Sequence, residues 1–173
     1  VKRGKLSPAE FIQIKRHVEL GVSALEESRN VHPDVRDGIV QHHERLDGSG
    51  YPGGLETAQI SIYGRMAAVA DSFAALTSVR PYAEPLAAYD ALKILYAQGG
   101  THYHAPLVEQ FVQAIGIFPA GSLVELSSGE VATVLAHNRV RRLEPRVLVL
   151  TDPAKKSIHE PRPLDLLLPP KAA

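Results

Sequence analysis

Two adjacent histidines, His42 and His43, stand directly before the acid Glu44 in the stretch QHHERLDGSGYPGGL, residues 41–55. A third histidine, His17, lies upstream, and Asp71 is the one acid in the apolar run ISIYGRMAAVADSFAALT, residues 60–77. Imidazoles and a carboxylate without sulfur suit iron, manganese, zinc or nickel rather than a structural zinc–thiolate site, and the chain has no cysteine. A carboxylate in an apolar helix is costly to bury unless it meets a cation or several donors. Adjacent histidines diverge by about 100° around a helix axis, so the pair is expected to serve two neighbouring metals better than to chelate one. Each residue also has a plainer reading. His17 alone could be a hydrogen-bonded core histidine, Asp71 could accept from a buried hydroxyl or arginine, and the glycines around Tyr51 could form a simple tight turn.

The elements that must position these side chains follow from capping and periodicity. In KLSPAEF, Ser7 can cap a helix, Pro8 suits its first position and Glu10 completes a capping box. Phe11, Ile14, Val18 and Val22 then recur at helical spacing, with His17 on the buried side beside Ile14. Gly21 admits a close neighbour. A second helix is expected from Pro33 to about Glu44, with Val35 and Ile39 inward and His42 and His43 near that stripe. DGSGYPGG cannot sustain a helix and reads as a loop that exposes Tyr51. Residues 60–77 read as a central helix, apolar on nearly all sides. Further helices are expected over 85–98 and 105–115. Beyond Pro119, SLVELSSGEVATVLA and RVLVLTD suggest a small meander of three strands, and the proline-rich end reads as a loosely ordered tail. His32, His137 and His159 read as surface residues.

Composition narrows the classes of function. Nineteen basic residues offset nineteen acidic ones, which gives no global field for a nucleic-acid polymer or an anionic membrane. No apolar run is long enough to span a bilayer, and the N-terminus lacks the order of a secretory signal. The absence of cysteine fits a reducing cytoplasm.

The segment HHERLDGSGYPGGL, followed in order by MAAVADSFAALTSVRPY and GGTHYHAPLVEQF and preceded by KRHVELG, resembles the HD-GYP domain family over about residues 2–116. That resemblance implies a mainly α fold, an HD-superfamily helical bundle over residues 1–117. It is followed here by a small β-rich extension over 118–152 and a proline-rich tail over 153–173. It also implies a bacterial signalling phosphodiesterase that hydrolyses cyclic di-GMP to pGpG or GMP at a centre of two or three divalent ions, often iron or manganese. By the same resemblance His17, His42, His43 and Asp71 are metal ligands, and Asp71 and His43 carry the catalysis. The resemblance also implies that Arg80 contacts substrate phosphate or base. The resemblance further implies that Asp47, Gly48, Tyr51 and Pro52 belong to a loop at the site rim that in relatives is associated with binding protein partners such as diguanylate cyclase (GGDEF) domains.

Departures from the family pattern bear on activity. The histidine–aspartate pair that names the family belongs upstream of Val1, so the chain is expected to be crippled as a hydrolase by itself and to expose apolar surface that favours a homodimer. Ala83 replaces a common lysine after RPY, removing one phosphate-directed charge. His104 replaces a usual aspartate cap, at a cost of about 1 kcal/mol. The competing reading is a non-catalytic interaction module that keeps the loop but does not hydrolyse.

Overall fold

The computed structural model describes residues 4, 6–26, 30–81, 83–138, 141 and 144–168. They form two compact units, one of residues 1–86 with 90–111, the other of 87–89 with 112–173.

The capping box at Ser7 forms as read: the Glu10 amide donates to Ser7 Oγ at 3.3 Å, and the Ser7 amide to Glu10 Oε2 at 2.7 Å. It opens α1 (Pro8–Lys15), and Arg16 then separates α1 from α2 (His17–Glu26). The break overturns the single expected stripe. Val18 is 1% exposed, but Phe11 and Ile14 face outward and His17 is exposed. Gly21 does admit a neighbour, since a Cβ there would meet Ile39 Cγ2 at 3.3 Å.

Helix α3 (Pro33–Gln41) starts at His32, whose Nδ1 accepts from the Asp34 amide at 3.3 Å. It ends three residues earlier than the sequence suggests, with His42 as its C-cap. The glycine-rich loop is the physical reason. A Cβ on Gly50 would stand 2.4 Å from Glu44 Cα and 2.5 Å from Arg45 N, an approach that requires 43–45 to leave the helix and run alongside the loop. Val35, expected inward, is exposed.

Helix α4 (Ile62–Thr77) is capped by Ser61, whose Oγ accepts from the Gly64 amide at 3.1 Å. The Ser61 amide donates to Gln41 Oε1 at 2.7 Å, and Gly64 lets α3 and α4 touch: a Cβ there would lie 2.6 Å from Gln41 Cβ. Ala68, Val69 and Ser72 are buried, whereas Ile62, Tyr63 and Met66 are exposed, so α4 is not covered on all sides. Ser72 accepts from Tyr103 Oη at 2.9 Å and from Arg45 Nη2 at 3.3 Å. Helices α5 (Ala88–Ala97) and α6 (Ala105–Ile115) follow. The His104 carbonyl starts α6, accepting from Leu107 and Val108, while its buried Nδ1 has no partner. The imidazole therefore does not replace a capping carboxylate through that atom.

The second unit is a four-stranded antiparallel meander in the order β1 (Leu123–Glu125), β2 (Val131–Ala136), β3 (Arg146–Thr151), β4 (Ser157–Asp165). Alternate residues Ala132 and Val134 of β2 pair with Val149 and Val147 of β3, and all four are buried, as a half-buried sheet requires. The fourth strand corrects the expected tail. Prolines 161 and 163 are tolerated because β4 is an edge strand with one ladder to make, and Ile158 and Leu164 pack on the core. Residues 169–173 of the expected tail lie outside the described residues.

The contact at Gly64 gives a paired test. Gly64→Ala should cost about 1–3 kcal/mol through overpacking, whereas Gly38→Ala, whose Cβ would meet only the Tyr63 carbonyl at 3.9 Å, should be neutral or stabilise by up to about 1 kcal/mol. Urea unfolding of both variants reads the difference; equal stabilities would refute the close α3–α4 approach.

Candidate metal centre

The imidazoles of His17, His42 and His43 come together on one side of the helical unit, each offering a ring nitrogen within 4.8 Å of the others. His17 Nε2 lies 3.1 Å from His42 Nε2 and 3.1 Å from His43 Nε2. Two helix ends set this arrangement. His17 Nδ1 is 2.7 Å from the Ile14 carbonyl in the last turn of α1, and His42 Nδ1 is 2.7 Å from the Ile39 carbonyl in the last turn of α3. Carbonyls of a last turn lack the usual i+4 amide donor, and each of these two takes the Nδ1–H of the imidazole three residues on. That bond fixes the tautomer and leaves Nε2 as a bare lone pair. With both rings neutral, two such lone pairs 3.1 Å apart cannot hydrogen-bond each other. They repel unless a cation stands between them, and two nitrogens bound side by side to a divalent ion at about 2.1 Å are separated by about 3.0–3.4 Å.

His43 completes the trio from just beyond α3. Its pKa is lowered to about 3, first by burial and then by the repulsion that His42, His17, Arg45 and Arg80 would oppose to a protonated ring. Neutral imidazole is the form that binds metal. Its other ring nitrogen, Nδ1, faces Asp71 Oδ2 at 3.9 Å, longer than a hydrogen bond but close enough to favour the proton on Nδ1. Asp71 thus sits across the His43 ring from the Nε2 trio, with its side chain 38% exposed, not sealed in an apolar helix. The donor set fits a divalent cation. Because α3 ends at Gln41, the paired histidines both reach His17, and the ring nitrogens of the three lie within 4.8 Å of one another.

Tyr51 is half-buried, not exposed. Its ring stacks on His43 with centroids 4.5 Å apart and planes at 25°. Phe11 meets it edge-on at 6.2 Å, and the Lys15 ammonium lies 4.7 Å from its centroid. The other loop residues are closer to the expected rim. Asp47 and Pro52 are exposed, and Gly48 takes φ +76. Asp47 Oδ1 accepts from the Ser49 amide at 3.0 Å and Oγ at 2.7 Å, and its Oδ2 is 3.4 Å from His102 Nε2. The serine bonds and His102 hold the Asp47 carboxyl below its ordinary range. Arg80 is half-buried in a bridge with Ala83 and acts electrostatically on His43.

Sequence reasoning passed over Lys15, Glu44 and His102. Only Glu44 left a signal: a carboxylate next to two candidate ligands and before a glycine-rich loop, where backbone N–H groups need acceptors.

A family profile described as HD domain matches residues 1–107. The chain is similar to a cyclic di-GMP phosphodiesterase of Pseudomonas aeruginosa, 42% identical over 86% of this chain and 36% of the relative. It is similar to one of Thermotoga maritima, 40% identical over 65% and 31%. It is also similar to a 3'3'-cGAMP-specific phosphodiesterase of Vibrio cholerae, 39% identical over 65% and 22%. It therefore spans about a third or less of the length of these relatives. A solved HDG"Y"P protein of Bdellovibrio bacteriovorus shares the fold with a TM-score of 0.52 at 18% identity, over 64% of this chain and 34% of that one.

The depressed His43 predicts a pH effect in the metal-free protein. The folded state holds His43 neutral while the unfolded chain protonates near pH 6.5, so its contribution is present above about pH 6.5 and is lost progressively as pH falls toward 3. The urea midpoint should drop between pH 7.5 and 5, above the carboxylate range, and the drop should be smaller in His43→Gln. An identical pH slope in the two proteins would refute the buried neutral imidazole.

Proposed function

Because the chain belongs to the HD-domain family, in its HD-GYP branch, we propose that it carries the metal-binding part of a phosphodiesterase acting on cyclic di-GMP. The observation that carries this reading is the convergence of three imidazole Nε2 atoms, two of them, on His17 and His42, with their Nδ1 sides committed to helix carbonyls. Such an edge is built for a cation, and relatives that match the region are named cyclic di-GMP phosphodiesterases. A divalent ion held by His17, His42 and His43 would supply charge neutralisation at the phosphodiester and acidify a water. Iron or manganese, in a centre of two or three ions, is the reading that the family resemblance favours.

The side chains around that edge have separable tasks. Asp71 orients His43 through Nδ1 in the geometry described and could also turn to ligate a further ion. Arg80 can present a forked guanidinium to a substrate phosphate, whose negative charge suits the field it already exerts on His43. Tyr51 covers one face of the His43 ring and keeps water from it. The exposed outer face of the loop at Pro52, Gly53 and Gly54 is available to a protein partner such as a GGDEF domain.

Ala83, exposed beside Arg80, supports a second reading, an interaction module without turnover, because a lysine there would add a phosphate-directed cation. The choice is settled by incubating a protein that carries this domain with cyclic di-GMP and Mn²⁺ or Fe²⁺ and separating the products. The phosphodiesterase reading expects pGpG or GMP, a loss of about 10–100-fold in Asp71→Ala, and near-complete loss in His42→Ala. Arg80→Ala should raise KM about tenfold with a smaller effect on kcat. Preference for 3'3'-cGAMP would correct the substrate, and absence of turnover in a metal-loaded protein would favour the module.

A further inference from the structure

Glu44 is buried and ionisable, and none of the tasks just described uses it. It is 2% exposed and stands next to His43. A carboxylate taken out of water is costly unless its oxygens meet donors. Both do, and both donors come from the loop: the Gly53 amide donates to Oε1 at 2.6 Å and the Leu55 amide to Oε2 at 2.9 Å. These charge-assisted bonds clamp the far side of the loop to the backbone that carries the histidine pair. The near side is fixed by backbone contact. The Tyr51 amide donates to the His43 carbonyl at 3.2 Å, and a Cβ at Gly50 would stand 2.6 Å from that same oxygen. Tyr51, between the two fixed points, has its ring laid on the His43 imidazole.

We propose that Glu44 is a positioning residue: by pinning the loop at Gly53 and Leu55 it holds Tyr51 against His43 and keeps His43 Nε2 in register with His17 and His42. The loop is then a structural part of the cation-binding edge, and any displacement of it is felt at His43. Glu44 touches neither substrate nor ion in this scheme. The proposal rests on reading the histidine trio as a cation site, but its first consequence, the placement of His43 by the loop, does not need the ion.

The two consequences are measured separately. In the metal-free protein, NMR should find the His43 ring protons displaced by the ring current of Tyr51, with Tyr51→Leu giving the undisplaced positions. Glu44→Gln, which sets an amide N–H against a backbone N–H, should move His43 to the Tyr51→Leu positions and speed hydrogen exchange at Gly53 and Leu55. Tyr51→Leu should leave that exchange slow. Zn²⁺ affinity by equilibrium dialysis should fall about tenfold in Glu44→Gln. Glu44→Asp, which keeps the charge but loses a methylene of reach, should give the same pattern and serves if the glutamine variant does not fold. A folded Glu44 variant with unchanged His43 shifts and unchanged Zn²⁺ affinity would overturn the proposal. A parent protein that takes up no Zn²⁺ would overturn the cation reading, and the ring-current comparison would still decide the role of Glu44.

Discussion

The bond on which the site depends is a modest one: an imidazole N–H given to the last-turn carbonyl of a helix. It occurs twice, from His17 to Ile14 and from His42 to Ile39, at 2.7 Å each. In each case it gives a last-turn carbonyl a side-chain donor, and in the neutral ring it decides which nitrogen keeps a lone pair. The negative end of a helix dipole also lies at each of these places, a favourable setting for a cation. If either helix ran on by a turn, its carbonyl would be spent on an amide and the histidine would lose its anchor. The positions of the helix ends are therefore part of the chemistry, and the features that end them, the break at Arg16 and the loop at Gly50, are site features at one remove.

The same logic explains why the loop is rich in glycine. Gly50 is required by contact, since any side chain would collide with the backbone of 43–45. Gly48 and Gly54 take positive φ, where other residues are strained. The freedom is used to bring backbone N–H groups onto a buried carboxylate and an aromatic ring onto an imidazole. The loop is thus tied to the site through Glu44 and Tyr51, while its outer face at Pro52 to Gly54 stays open.

Much of this was legible in the sequence, and the losses have physical causes. Residue type and order singled out the three histidines that come together, the capping box and the helix-then-sheet order, because these depend on local chemistry. Convergence of His42 and His43 was not legible, because an unbroken helical register would turn the two rings apart; a close contact with Gly50, distant in sequence, ends the register. Tyr51 was misread as exposed because its neighbours are loop formers, and its burial comes from Phe11, Lys15 and His43, which sequence reasoning cannot bring together. Strand β4 was hidden by its prolines, which are admissible only on an edge.

The account stands most directly on the tautomers. Long-range ¹H–¹⁵N correlation spectra of the protein, recorded without metal and then with Zn²⁺, report which nitrogen of each imidazole carries the proton. The account predicts Nδ1–H tautomers for His17 and His42 without metal, and a change in the Nε2 resonances of His17, His42 and His43 on adding Zn²⁺. Protonated Nε2 in the metal-free neutral rings, or Nε2 resonances that Zn²⁺ leaves unmoved, would contradict it.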